Sequence, residues 1–268
     1  MSTPQQPATD APHFLIENFE HGVIFRINRP HKLNAITKEI KRGLDQCLTD
    51  AETRGLRAII LTGTGERAFC AGTDLAEWPT MPVEERAASS DMARNFLFRL
   101  SGSKVISIAA MNGLAFGGGL ELAMGCTFRV AASHVRVALP EIKLGLIPAY
   151  AGTQYLTALI GRARALEMML TGKPVSAGDA LAMGLVNRVP PEGASALDGA
   201  RALAAEVCGH SPVAIAAVRA AVDAAGPQVT RAGLDFEGEQ VRRVARSDDA
   251  RDGVAAFLEK RPAKFTGR

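Results

Sequence analysis

Two glutamates, Glu121 and Glu141, stand where a carboxylate is chemically conspicuous. Glu121 follows three consecutive glycines in "AFGGGLELAMGC", residues 115–126, and falls in the first turn of an apolar helix. Glycines cost backbone entropy, so a chain spends them where the main chain itself must approach something. A glycine turn between a strand and a helix leaves N–H groups without intrahelical acceptors. Such donors suit an anion, either a bound phosphate or a transient oxyanion. The stretch lacks the Lys-Ser/Thr of a P-loop and does not fit GxGxxG spacing. Glu121 would also repel a resident phosphate, which favours the oxyanion. The plain alternative is a first-turn acid stabilised by the helix dipole.

Glu141 lies in "ALPEIKLGLIP", residues 138–148, among Leu139, Ile142, Leu144 and Leu146. It is either on the exposed side of a strand end or buried. Burial would raise its pKa and fit it for proton transfer near neutral pH. Two carboxylates in different surroundings supply an acid and a base. A third stretch, "RAFCAGTDLAEW", residues 67–78, places Gly72 and Thr73 in a tight turn. Its N–H groups are candidates for the second half of an oxyanion hole. Taken alone, the stretch reads as an ordinary turn with Asp74 capping a helix.

Strands and helices must hold these residues in place. "HGVIFRINRP" alternates as a strand ended by Pro30. Thr37 is placed to cap a helix with Ile36, Ile40, Leu44 and Leu48 on one stripe. "LRAIILTG" and "KVISIAAMNG" read as buried strands, "TFRVAAS" and "VRVAL" as two more. "PVEERAASSDMARNFLFRL" reads as a helix. After Thr153 the stretches "TQYLTALIG", "RALEMMLTG" and "SAGDALAMG" read as helices ending at glycine. To about residue 150 the pattern is strand, strand, helix, repeated. From about 191 it is helical only.

The 268 residues are 47% hydrophobic, enough for one large α/β unit or a core with an appendage. A net charge of +3 is too small to argue for nucleic acid. Cys47, Cys70, Cys126 and Cys208 lie far apart, without metal-site spacing, and read as reduced, buried thiols. No metal is expected. No run reaches the length of a membrane span, and residues 1–12 read as a disordered tail. The expected location is cytoplasmic. The histidines form no recognised nucleophile pair; Trp78 reads as a packing or acyl-entrance residue.

These stretches, in this order, resemble the enoyl-CoA hydratase/isomerase (crotonase) superfamily. The likeness runs from "INRPHKLNAI" through "IILTGTGERAFCAGTDL", "AAMNGLAFGGGLELAMGC" and "ALPEIKLGLIPAYAGTQYL" to "RDGVAAFLEKRPAKF". It implies an α/β fold, a spiral of ββα units over 13–190 with a helical trimerisation region over 191–268. It also implies a homotrimer or dimer of trimers. The implied ligand is an acyl-CoA thioester, with no other cofactor. By this likeness Thr73 and Gly118 supply the oxyanion hole, and Glu121 and Glu141 are the catalytic pair. Lys32, Leu33, Ala71, Gly72, Asp74, Leu75, Ala76 and Ala149 are the implied CoA and substrate contacts. Lys260 or Lys264 is a weaker candidate for a phosphate contact. The activity implied is hydration of a trans-2-enoyl-CoA. The alternatives are an isomerase or other thioester enzyme on the same scaffold, or a non-catalytic CoA- or RNA-binding member. The chain departs from the family pattern at Ala149, Tyr150 and Ala151, where hydratases often have two glycines. Tyr150 either narrows the acyl pocket or adds a hydroxyl to it. Thr127 stands where Asp is usual.

Overall fold

A computed structural model describes residues 11–74, 82–225 and 231–268. The chain divides into two compact units, the second beginning at Ala205.

In the first unit, β1 (Phe14–Phe19) and β2 (Gly22–Ile27) pair antiparallel. Then α1 (Lys38–Thr53) follows, and the Thr37 hydroxyl accepts the Ile40 amide at 3.3 Å as its cap. Ile40, Leu44 and Leu48 of the expected stripe are buried on one face of α1, with Ile36 buried just ahead of it.

Three turns of a spiral come next. Each sends one strand into a five-stranded sheet and one into a four-stranded sheet. The first turn gives β3 (Ala58–Gly63), β4 (Ala68–Cys70) and the helix α2 (Val83–Gly102). The second gives β5 (Ile106–Met111), β6 (Leu114–Phe116) and α3 (Gly118–Met124). The third gives β7 (Phe128–Ala131) and β8 (Arg136–Ala138), then a one-turn 3-10 helix, Glu141–Leu144. The sheet orders β1-β2-β3-β5-β7 and β4-β6-β8, the latter extended by β9 (Val175–Ser176), are the ββα spiral. β3 and β5 are buried along their whole length, because a sheet strand covered on both faces needs apolar residues throughout. Around β9 come α4 (Gly152–Ile160), α5 (Arg162–Thr171) and α6 (Ala177–Ala182).

α7 (Ala196–Cys208) crosses the division between the units. The second unit holds α8 (Pro212–Asp223), α9 (Arg231–Ala245) and α10 (Asp248–Glu259). Its C-terminal tail folds back on Asp249, whose Oδ1 accepts the Thr266 and Gly267 amides at 2.6 and 3.1 Å. Among the described residues no helix is long and apolar enough to cross a membrane. Residues 1–10 of the expected tail lie outside the described residues.

Candidate active site

The glycine turn ahead of α3 packs the main chain against three neighbours. Gly117 has a left-handed φ of 51°, and its amide donates to the Ala138 carbonyl at the end of β8 (2.9 Å). A Cβ on Gly119 would stand 2.1 Å from the Cys70 carbonyl, so only a bare residue lets α3 lie against β4. A Cβ on Gly118 would meet the Tyr150 ring at 2.8 Å. α3 therefore sits deep, and Glu121 is 1% exposed.

Inside, Glu121 Oε1 accepts the amides of Tyr150 and Gly152, each at 2.7 Å. Ala151 between them is left-handed at φ 76°. That reversal points both N–H groups at one spot, forming a concave anion cradle. Gly152 has no alternative, since a Cβ there would lie 2.7 Å from Glu121 Oε1. Burial drives the Glu121 carboxyl up to about 7. The cradle amides oppose the rise by favouring the anion, and the Glu141 charge adds to it.

Glu141 opens the 3-10 turn after Pro140 with the polarity of that turn inverted. The acid points in and is half-buried, while Ile142 and Leu144 are exposed. Glu141 Oε2 is buried without a hydrogen-bond partner among the described residues. Burial raises this carboxyl too. A Cβ on Gly117 would come within 3.0 Å of Glu141 Oε1, so the same glycine turn makes room for the second acid.

Thr73 forms a parallel bridge with Ile36, in which the Ile36 amide donates to Gly72 O and the Asp74 amide to Ile36 O. That pattern turns the Thr73 amide away from the bridge. Gly118, first residue of α3, has no carbonyl one turn back to bond. Among the described residues neither amide has an acceptor. The two loops are close: a Cβ on Gly72 would lie 3.2 Å from the Gly118 nitrogen.

A cleft of about 190 Å³ borders Thr73, Gly118, Glu121 and Glu141 together. Of the expected contact residues, Ala71, Gly72, Asp74 and Ala149 also line it. Lys32 and Leu33 do not border the cleft; Leu33 reaches its rim through the Ala71 amide, which donates to Leu33 O at 3.0 Å. The Asp74 carboxylate is held by the Arg29 guanidinium at 2.9 Å. Leu75, Ala76 and Trp78 lie outside the described residues. Lys260 and Lys264 are exposed residues of the second unit. Arg86, Ser89 and Ser90 of α2 also line the cleft; nothing in the sequence pattern marks them, because α2 is only weakly amphipathic. Leu144, Leu146 and Ile147 form an apolar wall.

Tyr150, buried, places its hydroxyl 2.6 Å from Thr73 Oγ1. Burial lifts the phenol to about 12, so it stays neutral. The buried Lys41 ammonium sits 4.8 Å from the Tyr150 ring centroid and donates to Ser89 O and Oγ at 3.1 and 2.5 Å. Burial first, and the Lys38 charge second, lower it to about 8.

The family described as enoyl-CoA hydratase/isomerase matches residues 19–268. The chain belongs to this family. A short-chain-enoyl-CoA hydratase of Clostridium acetobutylicum is 34% identical, over 92% of this chain and 95% of its own length. A mevalonyl-coenzyme A hydratase of Beauveria bassiana is 35% identical, with 90% of each chain covered. The crystal structure of an enoyl-CoA hydratase from Bacillus anthracis superposes with a TM-score of 0.90 at 34% identity, covering 96% of this chain and 100% of that one. The names of the first two specify different acyl groups at nearly equal identity, so family membership leaves the acyl group open.

Proposed function

We propose that the protein is an enoyl-CoA hydratase, which adds water reversibly and syn across a trans-2-enoyl-CoA to give a 3-hydroxyacyl-CoA. One observation carries the reading: a buried and a half-buried carboxylate, both with raised pKa, share a cleft with two unspent amides. The Thr73 and Gly118 N–H groups receive the thioester oxygen and stabilise it as it gains enolate charge. In comparable sites each such donor contributes about 3 kcal/mol. Glu121, as carboxylate, takes a proton from water while the water oxygen bonds C3. The one proton that the pair shares, carried on Glu141 in the reactive form, goes to C2. The net result adds H and OH to the double bond. One proton then returns from Glu121 to Glu141, so the pair carries a single proton and titrates as a unit. The chemistry is redox-neutral and uses nothing beyond the CoA thioester and water. The family likeness and the apolar helical surface described in the Discussion support a trimer or dimer of trimers.

The test is substitution of each acid. Glu121→Gln and Glu141→Gln are each expected to lower kcat for crotonyl-CoA by about 10²–10⁴-fold with little change in affinity for a saturated acyl-CoA. Full activity in either variant would remove that residue from the mechanism. For the wild type, kcat/KM is expected to fall as pH drops through about 7, where Glu121 takes up a proton and ceases to be a base. A profile flat from pH 5 to 8, a range of about three units around a neutral base, would contradict its role.

A further inference from the structure

Tyr150 borders two cavities. One is the cleft that holds Glu121 and Glu141. The other is a small hollow of about 20 Å³ lined by Ile36, Leu44, Phe96, Leu97 and Leu122. Those five residues are each 7% exposed or less. The hollow has barely the volume of one water, and its apolar walls give a water no partners. Lys41 also borders it, with its ammonium already bound to Ser89. One aromatic side chain, the residue common to both linings, therefore separates the reacting groups from this hollow.

The ring is held on three sides. Its hydroxyl meets Thr73 Oγ1, its edge packs on bare Gly118, and the Lys41 ammonium lies near its face. Gly118 and Thr73 are the residues whose amides face the thioester oxygen in the proposed reaction. The ring thus stands beside the start of the acyl chain, fixed too firmly to swing aside at low cost.

We propose that Tyr150 is the specificity-determining wall of the acyl pocket. It confines the protein to short acyl chains because its ring fills the space between the cleft and the apolar hollow at α1, α2 and α3, so that only without the ring do the two join into room for a longer chain. This rests on the acyl-CoA reading above and narrows it to a substrate class.

The experiment uses saturated thioesters, which cannot be hydrated, so binding is read apart from catalysis. Butyryl-CoA, octanoyl-CoA and dodecanoyl-CoA are titrated calorimetrically into the wild-type protein and into Tyr150→Phe, Tyr150→Leu and Tyr150→Ala. The wild type and Tyr150→Phe are expected to bind butyryl-CoA at least tenfold more tightly than dodecanoyl-CoA. The preference should shrink in Tyr150→Leu and shrink by at least tenfold in Tyr150→Ala. Tyr150→Leu keeps apolar bulk at the site, so the series remains readable if the alanine variant does not fold. The same chain-length profile in every folded protein, or a wild type that binds dodecanoyl-CoA as tightly as butyryl-CoA, would overturn the wall. Binding of no thioester by the wild type would overturn the acyl-CoA reading itself, and the wall with it.

Discussion

At the scale of the residue, Glu121 is held in tension. The cradle amides of Tyr150 and Gly152 favour its charge, and burial opposes it more strongly. Its folded pKa of about 7 stands above the ordinary glutamate value of 4.5. The folded protein therefore binds this proton more tightly than the unfolded chain does. The stabilisation is complete below about 4.5 and is lost as pH rises through about 7. At 1.36 kcal/mol per unit, the anion costs about 3 kcal/mol above that range. Glu121→Gln keeps an Oε1 acceptor for both amides and carries no charge. It is expected to exceed the wild type in Tm at pH 8 and to converge with it near pH 4.5. A variant less stable at pH 8 would show that the cradle outweighs the burial cost. Glu121 and Glu141 were legible in the sequence because an acid in an apolar stretch stands out. The cradle was not legible, because its donors are main-chain amides that no residue type announces. Its one mark is Ala151, left-handed without being glycine.

At the scale of the element, the loop into α4 stores strain at Ala151. A left-handed non-glycine residue costs about 1–2 kcal/mol, of which glycine's greater unfolded-state entropy would return about half. Ala151→Gly is expected to stabilise the fold by about 0.5–1 kcal/mol, read as a higher denaturant midpoint at unchanged m. A lower midpoint would mean that the Ala151 methyl makes packing worth more than the strain. The longer elements were readable from pattern: β3 and β5 as apolar runs, α1 from its cap and stripe. The three-residue strands β4 and β6 were not, because so few residues hold no period and, unlike β8 within "VRVAL", neither sits in an alternating run. β1 also escaped notice, since it is only partly covered and Leu15 and Ile16 are exposed. Yet β4 and β6 set the site, because their ends lead into the Gly72–Thr73 turn and the glycine turn.

At the scale of the whole molecule, the second unit leaves apolar side chains uncovered. Val218, Val222, Leu234, Val241, Val254 and Leu258 on α8, α9 and α10 are each more than half exposed. The pairs Val218–Val222 and Val254–Leu258 are four apart, one turn on a single helix face. Exposed apolar sets of this kind mark interaction surfaces, and the proposed trimer would cover them. Sedimentation is expected to give a trimer or hexamer, and Val222→Glu with Leu258→Glu is expected to shift it toward smaller species. A wild type that sediments as a monomer at micromolar concentration would exclude the assembly. The ββα repeat was legible as a rhythm of elements. The allocation of alternate strands to two sheets was not, because strand order depends on packing between distant segments.

The most direct test of the central claim is to incubate the wild-type protein with crotonyl-CoA and follow both the ultraviolet absorbance of the conjugated thioester and the mass of the product. Loss of the conjugated absorbance with gain of one water is expected, slowed by about 10²–10⁴-fold in Glu121→Gln. Persistent absorbance with the thioester demonstrably bound would contradict the claim.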